Sequence, residues 1–330
     1  MGQSQNETRA GSLRGWLLIY AKAYTKNFSN SYRATCRRSI DRFMEWRATV
    51  PYTNRCIREH PRQCVEMFRD YLFANNYSPA TVHTYIAGIC CAFGISMAGI
   101  THHGTAEDKQ RSLGNCERSR RALANPKNAR FVAFQRMVGG RRTALQRLRG
   151  CDFVQDESGE WCVRFVRDKG GKDQLQRIAP ENVEAVRAYF DAVGPDDLLF
   201  PDPIDPDLDI NGLRAEHAHA EYTRYAAICR TPEGRARMRA QLLARFTNPE
   251  IGCKAYRLAK AAGNKTRAKK ILAKFKYEMR DGDYNVRGHN FNAAVSHKTP
   301  TTYDRLALCC VSVFALSHWR NAVTVKHYMV

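Results

Sequence analysis

Between Ser29 and Val50 the chain reads SNSYRATCRRSIDRFMEWRATV, and its apolar residues Tyr32, Cys36, Ile40, Phe43 and Trp46 recur at spacings of three and four. That period puts them on one face of an α-helix and leaves Arg33, Arg37, Arg38 and Arg42 on the others. It continues through Val65, Phe68 and Leu72. After a turn at Asn75-Asn76 and a helix start signalled by Ser78 and Pro79, it runs on through Val82, Tyr85, Ile86 and Ile89. Residues 12 to about 100 are therefore expected to form a compact all-helical module, half core and half cationic surface.

Strand-like alternation is clear in one place. In EWCVRFVRDKGGKDQLQRIAP, Trp161, Val163 and Phe165 alternate with polar residues, Gly170-Gly171 supplies a tight turn, and Leu175 to Ile178 return. This predicts a β-hairpin with lysines at its tip. Residues 101–130 are polar and basic and read as the connection into a second domain, whose first helices are interrupted at Gly139-Gly140. Helical pattern resumes at PENVEAVRAYFDAV. LLFPDPIDPDLDINGL reads as a loop rich in Pro and Asp, and residues 232–279 as a strongly basic helical insertion. The expected fold is mainly α with a small β-hairpin or sheet. A helical module and linker (1–112) precede an α/β domain (113–330).

Lys and Arg number 53 against 32 acids among 330 residues, a net charge of +21 spread along most of the chain. A charge of this size resists compaction unless a polyanion uses it, so nucleic acid is the expected partner. No apolar run reaches the roughly 20 residues that span a bilayer, and MGQSQNETRAGSLRG lacks the apolar core of a secretory signal. A cytoplasmic, nucleoid-associated protein without a membrane partner is expected. The twelve cysteines are scattered and form no CxxC, which predicts reduced thiols. His217 and His219 lack accompanying ligands at metal-site spacing, so neither a metal nor any other cofactor is expected.

Metal-free phosphoryl transfer on DNA needs fixed cationic donors around two phosphate oxygens, an in-line nucleophile and an acid for the departing 5′ oxygen. Arginine suits the oxygens because its planar fork donates two bonds at once and keeps its charge. The segment GGRRTALQRLRGCD resembles the first Arg box of the tyrosine recombinases, the integrase and resolvase family. Arg141 takes the place of the catalytic Arg, Leu145, Leu148 and Asp152 follow in register, Gly139 stands two residues before, and Ala144 replaces the usual acid. Arg142 is the alternative assignment. RDKGGKDQ is similar to the family's hairpin tip, with Lys169 at the position of the general acid and Lys172 as a phosphate contact. YNVRGHNFNAAV resembles the second box. Arg287 is its Arg, Tyr284 stands where His or Lys is usual, and His289 is within reach of the phosphate; Arg280 in YEMR competes. ALSH resembles Leu-Gly-His with Ser317 for Gly, which makes His318 the third donor. TVKHYM resembles the closing Thr-x-x-x-Tyr, which makes Tyr328 the nucleophile, ten residues after His318.

The resemblance implies an N-terminal core-binding domain, with Arg33, Arg37 and Arg38 toward DNA, clamped with a catalytic domain around the duplex. It implies integration or excision of a mobile element through a 3′-phosphotyrosyl link. Partners would be double-stranded DNA, further copies of the chain in a tetramer or dimer, and accessory DNA-bending proteins. Tyr284 and the ten-residue spacing also resemble the hairpin telomere resolvases. Ala144, Tyr284 and Ser317 are the departures that suit a non-catalytic DNA-binding regulator derived from a recombinase.

Overall fold

The structure, a computed structural model, describes residues 12–26, 28–100, 117–168 and 172–329, with the backbone alone at Arg167, Lys172 and His289. It is mainly helical with a small antiparallel sheet. The chain divides into two compact units, Met1–Arg111 and Ser112–Val330. Among the described residues no helix is long and apolar enough to cross a membrane.

The first unit holds α1 (Leu13–Tyr24), α2 (Asn30–Arg47), α3 (Asn54–Glu59), α4 (Pro61–Ala74) and α5 (Pro79–Phe93). Hydroxyl caps start four of them: Ser12, Ser29, Thr53 and Ser78 each accept a backbone N–H three residues on, and Pro79 supplies a preset first turn. The helical period of the sequence is the period of the core. Ile40, Phe43, Trp46, Phe68, Leu72, Val82, Ile86 and Ile89 are all buried. Phe43 meets Phe68 and Phe93 edge to face at 5.3 and 5.6 Å. Gly88 lets α5 cross α2 closely, since a Cβ there would lie 2.2 Å from the Ser39 hydroxyl.

The second unit begins with α6 (Glu117–Ala124) and α7 (Ala129–Val138), followed by the one-turn α8 (Arg142–Leu145). Gly139 ends α7 in the left-handed region at φ +66°, where its missing side chain leaves room for the His217 ring. The predicted hairpin is β2 (Trp161–Asp168) against β3 (Lys172–Arg177), and β1 (Phe153–Gln155) adds a third strand in the order β1-β2-β3. Pairing of Asp168 with Lys172 brackets the tip. A bulge between Phe165 and Asp168 re-aims the end of β2.

Helices α9 (Val183–Asp191), α10 (Ile210–Ile228), α11 (Pro232–Thr247), α12 (Lys254–Ala261) and α13 (Lys265–Glu278) follow. Then come β4 (Asp283–Asn285), α14 (His289–His297), β5 (Thr302–Asp304), α15 (Arg305–Cys310) and α16 (Asn321–Thr324), with π-helical turns at Val311–Ala315 and Val325–Met329. Leu306 to Leu316 is buried without interruption and forms the centre of the larger core. In the basic segment 232–279, α11 is part of that core: Met238, Leu242 and Phe246 are buried. Arg245 is buried with them. It bonds Asp156 and Glu157 at 2.6 and 2.8 Å, while Arg177 shares the same Asp156 oxygen at 2.6 Å.

Candidate active site around Arg214 and Tyr328

Helix α10 buries a polar face. Arg214, His217, Glu221 and Tyr225, at spacings of three and four, are all buried, and Arg214 has no exposed surface at all. Burying a guanidinium is costly unless its donors are met, and here both Nη atoms are met while Nε is buried without a hydrogen-bond partner. Nη1 of Arg214 donates to the Gly139 carbonyl and reaches the Gln176 amide oxygen at 3.5 Å, and Nη2 donates to the Leu316 carbonyl at 2.8 Å. Gln176 strengthens the junction by donating to the Val138 carbonyl at 2.9 Å and to the Ala315 carbonyl. Two loops distant in sequence are thereby fastened to one helix. The first leads into Arg141, two residues after Gly139; the second leads into His318, two residues after Leu316.

Arg141 precedes α8 in an extended conformation and is partly buried. Its Nη1 donates to the Asp168 carboxylate at the end of β2 and to the Gln174 amide oxygen of β3 at 3.2 Å. The other Asp168 oxygen, Oδ1, is buried without a hydrogen-bond partner. The neighbouring Arg142 is engaged differently: it donates to the carbonyls of Ile204, Asp205, Pro206 and Leu208 and folds the loop rich in Pro and Asp. Asp152, the last residue of that box, accepts from the Arg149 amide and from Arg164, joining the turn to β2.

His318 and Tyr328 come together through the π-helical turns, a distortion that recurs at functional sites. Their rings lie 5.9 Å apart in a near-stacked arrangement. Ser317 sits at φ +53°, the left-handed region that explains why a Gly is common at such a position, and its hydroxyl reaches the Leu175 carbonyl at 3.3 Å. The backbone N–H of His318 donates to Ser312 at 2.5 Å, and the Ser312 hydroxyl holds Thr324 at 2.8 Å. From β5, Tyr303 donates to the Met329 carbonyl at 2.7 Å. The residue after Tyr328 is thus tied down.

The Arg214 guanidinium carbon lies 5.2 Å from the centre of the Tyr328 ring. Burial pushes the Arg214 guanidinium down to about 10. Tyr328 and Asp168 pull it upward, and Arg141 repels it. It remains charged at neutral pH. Arg141, Asp168, Arg214, His318 and Tyr328 therefore belong to one electrostatically connected group. It holds two guanidinium forks, an imidazole and a phenol: groups that can donate hydrogen bonds to an anion and a hydroxyl that can act as a nucleophile. Among the described residues no cluster of His, Cys, Asp or Glu could hold a metal ion.

The other sequence-derived residues lie elsewhere or beyond description. Lys169 falls outside the described residues, and at Lys172 and His289 only the backbone is described. Tyr284 lies on β4 opposite Tyr303, with the Arg305 guanidinium 5.4 Å from its ring. Arg287 is exposed just after that strand, and its charge acts on the Tyr284 phenol. The guanidinium beside Tyr328 belongs to Arg214. Arg280 lies against Tyr277, 3.8 Å from its ring centre. In the first unit Arg33 caps the carbonyls of Thr25 and Lys26 after α1, while Arg37 and Arg38 are exposed.

Sequence reasoning passed over Arg214, Gln176 and Asp168. Helix α10 buries Arg214, His217 and Glu221 beside Ile210, Leu213 and Ala218, which blurs its amphipathic signature, and His217 drew notice only as a metal candidate. Its Nδ1 donates to the Arg136 carbonyl at 3.0 Å. Neither a protein-family model nor a curated protein matches this chain.

Proposed function

We propose that the second unit is the catalytic domain of a tyrosine-recombinase-like enzyme that cleaves and rejoins DNA strands through Tyr328. The packing of the Tyr328 ring against both the Arg214 guanidinium and the His318 imidazole carries this reading. Arg141 and Arg214 act as the two arginines on the non-bridging oxygens of the scissile phosphate, and His318 is the third donor. Arg214 takes the role that the motif spacing gives to Arg287. In the state described, Asp168 occupies Arg141 and the Tyr328 ring covers Arg214. An incoming phosphate takes the carboxylate's place as the partner of Arg141, and the ring moves from over Arg214 into line.

The Tyr328 oxygen then attacks phosphorus. A phosphorus–phenol oxygen bond forms as the bond to the 5′ oxygen breaks, the phenolic proton leaves to solvent or a neighbouring base, and the 5′ oxygen takes a proton. Lys169, which the sequence motif matches to the general acid, is the proposed donor of that proton. Two fixed guanidinium charges stabilise the negative charge that builds on the phosphate oxygens as the bond forms. The phosphotyrosyl bond conserves the energy of the broken strand, so a free 5′ hydroxyl reverses the step without ATP.

The excess of 53 basic over 32 acidic residues supports double-stranded DNA as substrate. Assembly of several copies on paired sites belongs to the same proposal. The full-length protein incubated with a pool of nicked suicide duplexes should yield a covalent protein–DNA adduct that Tyr328→Phe abolishes. Duplex binding without any adduct would favour a DNA-binding regulator instead, a reading for which the complete burial of Arg214 speaks. Covalently closed hairpin products would assign telomere resolution.

A further inference from the structure

Between Ile251 and Tyr277 the chain carries nine Lys or Arg and no Asp or Glu. None of the nine takes part in an ion pair among the described residues, whereas Arg235 and Arg239 of the preceding helix both pair with Asp281. Eight of the nine side chains are exposed, and the ninth, Arg257, donates to the Pro249 carbonyl at 2.8 Å. Like charges so concentrated repel one another, and only an external polyanion turns that repulsion into binding energy.

Their placement is regular. Helices α12 and α13 are joined by a turn with Gly263 at φ +66° and Asn264 capping α13 through the Arg267 amide at 2.9 Å. Along α13, Arg267, Lys270 and Lys274 recur at spacings of three and four and form one stripe. Lys265, Lys269 and Lys276, at spacings of four and seven, form a second. Thr266, Ala273 and the exposed Tyr277 lie between the stripes, and Ala268 and Phe275 face the core. The exposed side is thus a helix face with two basic edges.

This helix is anchored beside the candidate active site. Phe275 stacks on Phe246 with ring centres 4.1 Å apart, and Trp319, the residue after His318, meets both edge to face at 5.5 and 5.8 Å. A cavity of about 40 Å³ is lined by Lys254 and Arg257 on one side and by Gln174 and Ser317 on the other. The entry to α12 therefore borders the residues that flank Arg141 and His318.

We propose that α12 and α13 form a second DNA-contacting surface, with α13 in the major groove of the duplex that flanks the scissile phosphate. The proposal rests on the DNA-cleaving reading for its substrate class. A helix with side chains is about 10–12 Å across and the major groove about 12 Å wide, so the two basic stripes meet the two bordering phosphate chains.

The test is a salt series of fluorescence anisotropy titrations with a labelled mixed-sequence duplex and the full-length Tyr328→Phe protein. Arg267→Gln, Lys270→Gln and Lys274→Gln are combined in one variant, and all three side chains are exposed, so the fold is retained. The slope of log affinity against log salt should shrink by about 2–3, since each lost phosphate contact removes about 0.9. Combined Lys127→Gln, Arg230→Gln and Arg237→Gln, the same charge loss outside the patch, should leave it unchanged. An unaltered slope in the patch variant overturns the proposal, as does an equal loss in the control or tighter binding of single-stranded RNA than of the duplex. Binding is read here without cleavage. A missing adduct in the suicide-duplex experiment would remove the strand-cleaving reading and leave this slope difference standing.

Discussion

The Arg214 guanidinium carbon sits 5.2 Å from the centre of the Tyr328 ring, while the same side chain bonds the carbonyls of Gly139 and Leu316. Charge and scaffold meet in one residue. Arg214→Lys keeps the charge and loses the planar fork, so adduct formation on a suicide duplex should fall by roughly 10²–10³, the usual cost of removing one preorganised donor. Arg287→Ala should leave the rate near that of the parent protein. Equal losses in the two variants would return the second arginine to position 287.

Gly139 ends α7 at φ +66°, and an added Cβ would lie 2.2 Å from Cδ2 of His217. Gly139→Ala should therefore destabilise the protein by about 2–5 kcal/mol, combining left-handed strain of about 1–2 with overpacking of about 1–3. Gly159, at φ +78°, has nothing within 4 Å of such a Cβ. Gly159→Ala should show the strain alone, about 1–2 kcal/mol. Urea unfolding of both variants measures the difference.

Asp156 joins Arg177 and Arg245 in the buried network beneath β1 and α11. Burial pushes its carboxyl up, but Arg177, Arg245 and the Ser158 amide outweigh that and hold it below its ordinary value of 3.8. A carboxyl lowered by folding stabilises the native state above its ordinary value, and that contribution disappears as pH falls through the native one. Asp156→Asn leaves two buried guanidinium groups short of their counter-charge and should cost about 3–5 kcal/mol at neutral pH in chemical denaturation. The loss should narrow in strong acid.

Burial lowers the His217 imidazole below its ordinary value of 6.5, with Glu221 pulling the other way, and burial lowers His219 as well. Below that ordinary value the unfolded chain binds protons that the native state refuses, so stability should drop as pH falls from about 6.5. Thermal melts between neutral and mildly acidic pH should show this slope. His217→Gln should flatten it, and an unchanged slope would assign the proton uptake to other groups.

Local order was written plainly in the chain. The three-and-four spacing of Ile40, Phe43 and Trp46 is the buried face of α2, and the alternation of Trp161, Val163 and Phe165 is the strand β2. Both patterns are legible because burying apolar side chains on one face leaves a period that survives in one dimension. The Gly139-Gly140 break before Arg141 and the excess of positive charge were legible for similar local reasons. Only tertiary structure decided that a guanidinium from α10, Arg214, lies beside Tyr328. A buried arginine is stable because of carbonyls far away in sequence, here Gly139 and Leu316, and such partners leave no periodic trace around the residue that needs them.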